Sequence, residues 1–394
     1  MSEDTTAPDD TGGDAGGDAG AAGGEVSYGI VEPTWIDSFN VQDSEGFEVA
    51  RLLYDGLTDY SEDLTAVPAV AESWEANDDN TVWTFNLRDD VTFHDGTPVT
   101  AQSFIDAFNY VANPENLSDV AYQGSYIANI QGWSEVESGD ATEISGVVAV
   151  DDTTLEITLN EPYSILPKVV AHPVFSPRAA SSTDPDEPVG NGPYMMDGPW
   201  QHDVSITLVP YDGYYGEPGK PDTIQFQILD SIDTMYLEVQ AGGLDIGDVP
   251  PEQIEAAASE FGDAFIETEI GSYNYLGFPT EVAPFDNPDI RKALSLAVDR
   301  EAINQAIFAG TRAPATGFAP SLAPGATECA NTAYDPETAK ELFDAAGGID
   351  GPVEVFFNSG GGHEEWLQAV ANQWQQNLGI GEVTFTGQEF APYL

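Results

Sequence analysis

Positive charge is what this chain most lacks. Ten lysines and arginines stand against 69 aspartates and glutamates, a formal net charge of −59 at pH 7. A field of that sign repels nucleic acid and anionic membrane surfaces, so neither is expected as a partner. Cysteine is almost missing: Cys329 stands alone and cannot pair within the chain. There is no run of 18 or more apolar residues, hence no candidate membrane-spanning helix. Met1 leads directly into Ser2-Glu-Asp4, with neither the basic region nor the apolar stretch of a signal peptide.

Catalytic and metal signatures are missing as well. The sequence holds no Gly-x-Ser-x-Gly elbow, no His-Glu-x-x-His, no Cys/His zinc spacing and no Gly-x-x-x-x-Gly-Lys phosphate loop. The histidines His94, His172, His202 and His363 lie in separate segments. Paired carboxylates carry no information among 69 acids. Asp245-Ile-Gly-Asp248 lacks the twelve-residue loop that would bind Ca²⁺. The expectation is no enzyme, no metal and no cofactor.

What is present is a globular composition, 41% hydrophobic and 11% aromatic over 394 residues, enough for two or three domains with cores of their own. Residues 1–25 are rich in glycine, alanine, aspartate and threonine, carry seven acids and no base, and lack valine, isoleucine, leucine and aromatics, so they read as a flexible linker. The other 62 acids are spread over the folded body, which points to adaptation to high salt, where screening over about 3 Å at 1 M suppresses self-repulsion.

Periodicity places strands at Val26–Val31, Trp83–Leu87, Val91–Phe93, Gly146–Val150, Thr154–Leu159, Ser205–Val209, Thr223–Ile228, Leu244–Ile246, Val353–Phe357 and Val383–Phe385. Helices start at Thr100, Ser231, Asn287-Pro288, Asp299 and Asp335-Pro336, each a capping residue ahead of apolar positions at helical spacing. Another covers residues 47–54, and one more carries Trp366, Leu367, Val370, Trp374 and Leu378 inward. Tyr273 to Thr280 reads as an aromatic strand that hands over to the Asn287 helix, a candidate hinge. The β-α-β order from Val353 to Phe385 favours a parallel sheet with a crevice at its carboxyl ends.

Five segments then carry a resemblance. They are Tyr54-Asp-Gly-Leu57 with Pro68 and Ala71-Glu-Ser-Trp74; Trp83-Thr-Phe-Asn-Leu-Arg88 with Val91-Thr-Phe-His-Asp-Gly-Thr-Pro-Val-Thr100; Asn191-Gly-Pro-Tyr194; Pro284-Phe-Asp-Asn-Pro-Asp-Ile-Arg-Lys-Ala-Leu-Ser-Leu-Ala-Val-Asp-Arg-Glu-Ala-Ile303; and Asp335-Pro-Glu-Thr-Ala-Lys-Glu-Leu342. In this order, over roughly residues 26–394, they resemble the extracytoplasmic solute-binding proteins of ABC importers, in the dipeptide/oligopeptide-binding family (family 5). The resemblance implies an α/β, two-lobed periplasmic-binding-protein-like fold with a hinge, its second lobe C-terminally incomplete. The implied layout is lobe I over 26–60 and 188–272, a subdomain inserted at 61–187, and lobe II over 273–394.

It also implies a monomer that captures a peptide, or a nickel complex, oligosaccharide or opine, outside the cell and passes it to an ABC permease. In the family a tract like residues 1–25 follows a lipid-modified cysteine, so the resemblance implies a processed form of a lipid-tethered precursor. It implies further that the absent C-terminal part includes a segment whose carboxylate receives a peptide's amino group. A secreted hydrolase of peptides or glycans, and a ligand sensor without transport, stay as alternatives.

Ligand-binding candidates follow. The loop Glu32–Asp37 after the first strand faces the cleft in the family, and Trp35 offers a flat apolar wall. Tyr273, Asn274 and Tyr275 alternate, so the two tyrosines share a face; core packing and cleft lining are equally open for them. The loop with Asn358, Ser359, Gly361 and His363 precedes a helix whose first N–H groups suit a peptide carboxylate. Family members can carry an arginine in this loop; here only His363 stands near it. His94-Asp-Gly-Thr-Pro98 and Asn191-Gly-Pro-Tyr194 read as turn geometry rather than as sites.

Overall fold

The computed structural model describes residues 23–117, 123–268, 271, 273–320, 323, 325–359, 362–388 and 393. The chain forms two compact units, Met1–Gly247 and Asp248–Leu394. The linker read over residues 1–25 lies outside the described residues up to 22.

The first unit runs β1 (Glu25–Ile30), α1 (Ser44–Leu53), β2 (Thr58–Tyr60), β3 (Ala66–Pro68), β4 (Ala71–Ala76), β5 (Val82–Leu87), α2 (Ala101–Ala112), α3 (Trp133–Glu137), β6 (Val147–Asp151), β7 (Thr154–Thr158), α4 (Leu166–Val169), β8 (Tyr194–Met196), β9 (Ser205–Pro210), β10 (Thr223–Ile228) and α5 (Ile232–Ala241). Two four-stranded sheets result, in orders β1-β10-β9-β8 and β4-β5-β7-β6. β1 pairs parallel with β10 and every other neighbour in the two sheets is antiparallel. Strict alternation buries Trp83, Phe85 and Leu87 of β5 on one face, against Phe104 and Phe108 of α2. That core also holds Phe175, and burying each such ring contributes about 2 to 3 kcal/mol. A second core, with Ile30, Ile36, Val49, Leu53, Ile206, Leu208 and Phe226, lies under β1, β9, β10 and α1. Helix α1 begins where the Asp43 carboxylate accepts from the Gly46 N–H at 2.7 Å.

The motifs read as turns join these two cores. His94 accepts from the Gly190 N–H at its Nδ1 (3.2 Å) and donates from Nε2 to the Gly192 carbonyl (3.1 Å). Asn191, 1% exposed, exchanges two hydrogen bonds with the Asp55 backbone, at 3.1 and 3.0 Å. Gly190 and Gly192 donate to this junction from so close that a Cβ on either would stand 1.9 or 2.5 Å from the Leu53 or Leu52 carbonyl oxygen. Asp55 in turn accepts from the hydroxyls of Tyr214 (2.8 Å) and Tyr215 (2.7 Å), and burial raises its carboxyl above the usual range.

In the second unit, α6 (Ile254–Phe261), α7 (Pro288–Leu296), α8 (Arg300–Ile307) and α9 (Pro336–Ala345) precede β11 (Val353–Asn358), α10 (Glu364–Leu378) and β12 (Val383–Gln388). The caps act where the sequence places them. Asn287 accepts from Asp289 N, Asp299 from Ala302 N and Asp335 from Thr338 N, at 2.9, 2.9 and 3.0 Å. β11 and β12 pair in parallel from Val353↔Val383 to Asn358↔Gln388, so the β-α-β reading holds. Leu367, Val370, Trp374 and Leu378 of α10 pack with Leu294, Val353, Val355 and Phe357, and the Trp374 indole donates to the Leu294 carbonyl at 2.9 Å.

Three expected strands differ. Val91–Phe93 makes only a bridge at Thr92↔Pro98, because the turn at Asp95-Gly96 closes too soon, with Phe93 N donating to Thr97 O at 2.8 Å. Leu244–Ile246 contributes one parallel bridge, Tyr28↔Ile246. Tyr273–Pro279 is not a strand: alternation alone does not make one, and no ladder partner exists for it among the described residues.

Several of the few cations turn to carbonyls and ring faces. Arg300 donates to the carbonyls of Ser295, Val298 and Thr332 at 3.2, 3.3 and 3.0 Å, Arg291 to those of Phe285 and Asp286, and Arg178 lies 4.3 Å over the Tyr110 ring. Among the described residues, a lysine or arginine meets a carboxylate only at Arg51–Asp59 and Lys340–Asp344.

Candidate functional site

In the first unit the loop that follows β1 is built from short-range polar anchors. The Thr34 N–H donates to Asp43 Oδ2 at 2.9 Å, and the same carboxylate caps α1. The Trp35 carbonyl packs on Gly46, where a Cβ would come within 2.2 Å of it, so only glycine allows this approach. Asp37 is buried and accepts from the Phe39 N–H (3.1 Å), the Asn40 N–H (3.2 Å) and the Asn40 amide (3.1 Å). Desolvation pushes its carboxyl upward against those bonds. Between these anchors Trp35 is half-buried, leaving one part of the indole to solvent.

The Tyr273–Tyr275 segment of the second unit stands out of the core. Tyr273 is 37% and Tyr275 72% exposed, and their rings lie 5.5 Å apart, so the shared face follows even without a strand. Asn274 is exposed, while Leu276 and Phe278 turn toward the core. A third ring joins them: Phe318, 88% exposed, sits 6.5 Å from Tyr273. Sequence reasoning missed Phe318 because it lies in the Gly- and Pro-rich stretch Thr316–Pro320, where no periodicity marks it. A large apolar residue without a periodic partner was the available signal. The three rings form an open aromatic platform with hydroxyls at its edge.

The β11–α10 connection lies at the carboxyl end of the parallel pair, where α/β sheets place ligands. Asn358 ends β11, and the Ser359 N–H donates to the Gln388 carbonyl at 2.7 Å. Gly361 lies outside the described residues. His363 precedes α10 and accepts from the Trp366 indole N–H at its Nδ1, 3.2 Å away. Burial lowers its pKa, so the ring is neutral with its proton on Nε2. It offers one hydrogen-bond donor and no charge, and Glu364 and Glu365 fill the first turn of the helix. A carboxylate here would be met by backbone N–H groups, with the Arg312 charge near enough to act on the His363 ring.

Among the described residues no group of three or more His, Cys, Asp or Glu side chains is arranged to hold a metal, and no helix is long and apolar enough to cross a membrane.

Comparison with known proteins gives these features a context. Residues 65–393 match the model described as bacterial extracellular solute-binding proteins, family 5 Middle. The oligopeptide-binding protein OppA of Bacillus subtilis is 29% identical over 389 residues, covering 92% of this chain and 70% of that protein. The structure of the Escherichia coli murein tripeptide binding protein MppA superposes with a TM-score of 0.81 at 27% identity, covering 94% of this chain and 76% of that one. A periplasmic oligopeptide-binding protein of an oligopeptide ABC transporter from Borrelia burgdorferi gives 0.79 at 26% identity, with 94% and 76% covered. The chain therefore belongs to family 5 of the bacterial extracellular solute-binding proteins.

Proposed function

We propose that this protein is the solute-binding component of an ABC importer and that peptides are its solute. The observation that carries this reading is the family match over residues 65–393, joined to similarity with peptide-binding relatives along 92% of the chain. Trp35 and the Tyr273–Tyr275–Phe318 platform supply flat faces for peptide side chains, and tyrosine hydroxyls suit the peptide backbone. Asn358, Ser359 and His363 supply neutral polar groups. The protein works as a monomer outside the cell, delivers its ligand to a membrane permease and leaves the peptide uncut.

Mass spectrometry of small molecules released by denaturing protein purified in high salt tests this, with a defined mixture of di- to pentapeptides incubated in parallel. Intact peptides leaving the protein are expected. Shortened peptides in the mixture would mean a hydrolase and sink the proposal.

A further inference from the structure

Beyond the motifs and the platform, one polar cluster in the first unit sets a histidine between two carboxylates. The Nδ1 of His202 lies 2.8 Å from Glu32 Oε1, and its Nε2 lies 3.3 Å from Asp186 Oδ1. A neutral imidazole has one N–H and can donate to only one of these carboxylates; the imidazolium donates to both. The other Glu32 oxygen accepts from the Asp203 N–H at 3.0 Å, where Asp203 holds a left-handed φ of 60°. Trp200 lies against the imidazole with ring centroids 4.0 Å apart and planes tilted by 36°, and its backbone N–H donates to the Asp186 carbonyl at 2.8 Å.

The ring is thus located by three partners from two other segments: Glu32 in the loop after β1, Asp186 before β8, and the indole beside it. Glu32 opens the loop that carries Trp35, and Thr34 is tied two residues further on.

We propose that His202 is a positioning residue for the Trp35 loop, an imidazolium clasp that ties Glu32 to Asp186 and holds the entrance of that loop in place. The consequence for ligand binding rests on the peptide-binding reading above; the clasp does not. Both facing groups are carboxylates, and their hydrogen bonds raise the His202 pKa above 6.5, with Glu32 the larger influence. A raised histidine pKa means that the clasp is complete below the ordinary value and is lost as pH rises through the folded one.

The test is side-chain NMR of the four histidines in molar KCl, with His202 assigned by His202→Gln and the protein labelled with 5-fluorotryptophan, Trp35 assigned by Trp35→Phe. The His202 midpoint should lie above 6.5 and fall in the Glu32→Gln and Asp186→Asn variants, which keep the shape of the clasp. The Trp35 resonance should move with the same midpoint and lose that step in His202→Gln. A midpoint at or below the ordinary value, or a Trp35 signal that ignores the His202 titration, overturns the proposal.

Binding of the same peptide mixture should weaken about threefold above the midpoint, an effect near 0.7 kcal/mol. Binding without any pH step overturns the positioning role and leaves the peptide reading standing. The NMR steps without peptide binding support the clasp and overturn the peptide reading.

Discussion

Two pairs of polar segments in this protein end in opposite surroundings. In the first unit, His94 and Asn191–Tyr194 are stitched into the junction between two cores, with Asn191 1% exposed and Gly190 against the Leu53 carbonyl. In the second, Tyr273–Tyr275 face solvent, His363 stands at the start of α10, and Phe318 is 88% exposed. The difference is whether another part of the chain arrives to take up the polar groups.

The sharpest way to break the comparison is Gly190→Ala. A Cβ at 1.9 Å from a backbone oxygen cannot be relieved by a side-chain rotation, so unfolding of the first unit should become easier by about 3 kcal/mol or more. Chemical denaturation followed by circular dichroism measures it, and a loss under 1 kcal/mol would show that the junction is not close-packed.

Next in size comes pH. Burial lowers the His94 pKa to about 4, mainly by desolvation. The unfolded chain takes a proton near 6.5 and folded His94 only near 4. Stability therefore falls as pH drops through that window, by on the order of 2 kcal/mol. His94→Gln should flatten this part of the pH–stability curve, and an unchanged slope would place the loss in other groups.

Salt acts on the open surface rather than on the junction. With 69 acids and ten bases, and the arginines largely occupied by carbonyls and ring faces, self-repulsion is countered mainly by solution ions. Moving from dilute buffer to 2 M KCl should raise the melting temperature by about 4 to 8 °C, corresponding to about 2 kcal/mol. A melting temperature indifferent to salt would remove the high-salt reading.

The smallest stability effect belongs to the platform. Tyr275→Ala and Phe318→Ala should each change stability by less than about 0.5 kcal/mol while weakening peptide binding about tenfold, near 1.4 kcal/mol. Calorimetry against the ligand recovered by mass spectrometry separates the two quantities. A large stability loss with unchanged affinity would place these rings with the structural segments instead.

Local order was legible in the sequence because it depends on neighbours in the chain. Asn287, Asp299 and Asp335 cap helices within three residues of themselves, and period-two burial in β5 and β11 follows from the pleat. The family was legible too, through five segments in order. Of the site, Tyr273 and Tyr275 were read as sharing a face, and they do; that they leave the core was open. Phe318 joining them and His202 meeting Glu32 across 170 residues were not legible, since neither periodicity nor capping chemistry marks a contact between distant segments. The sequence by itself determined the caps, the alternation and the charge. Only the tertiary structure decided which polar groups find a partner, because burial and pairing of a side chain are set by the segment that packs against it.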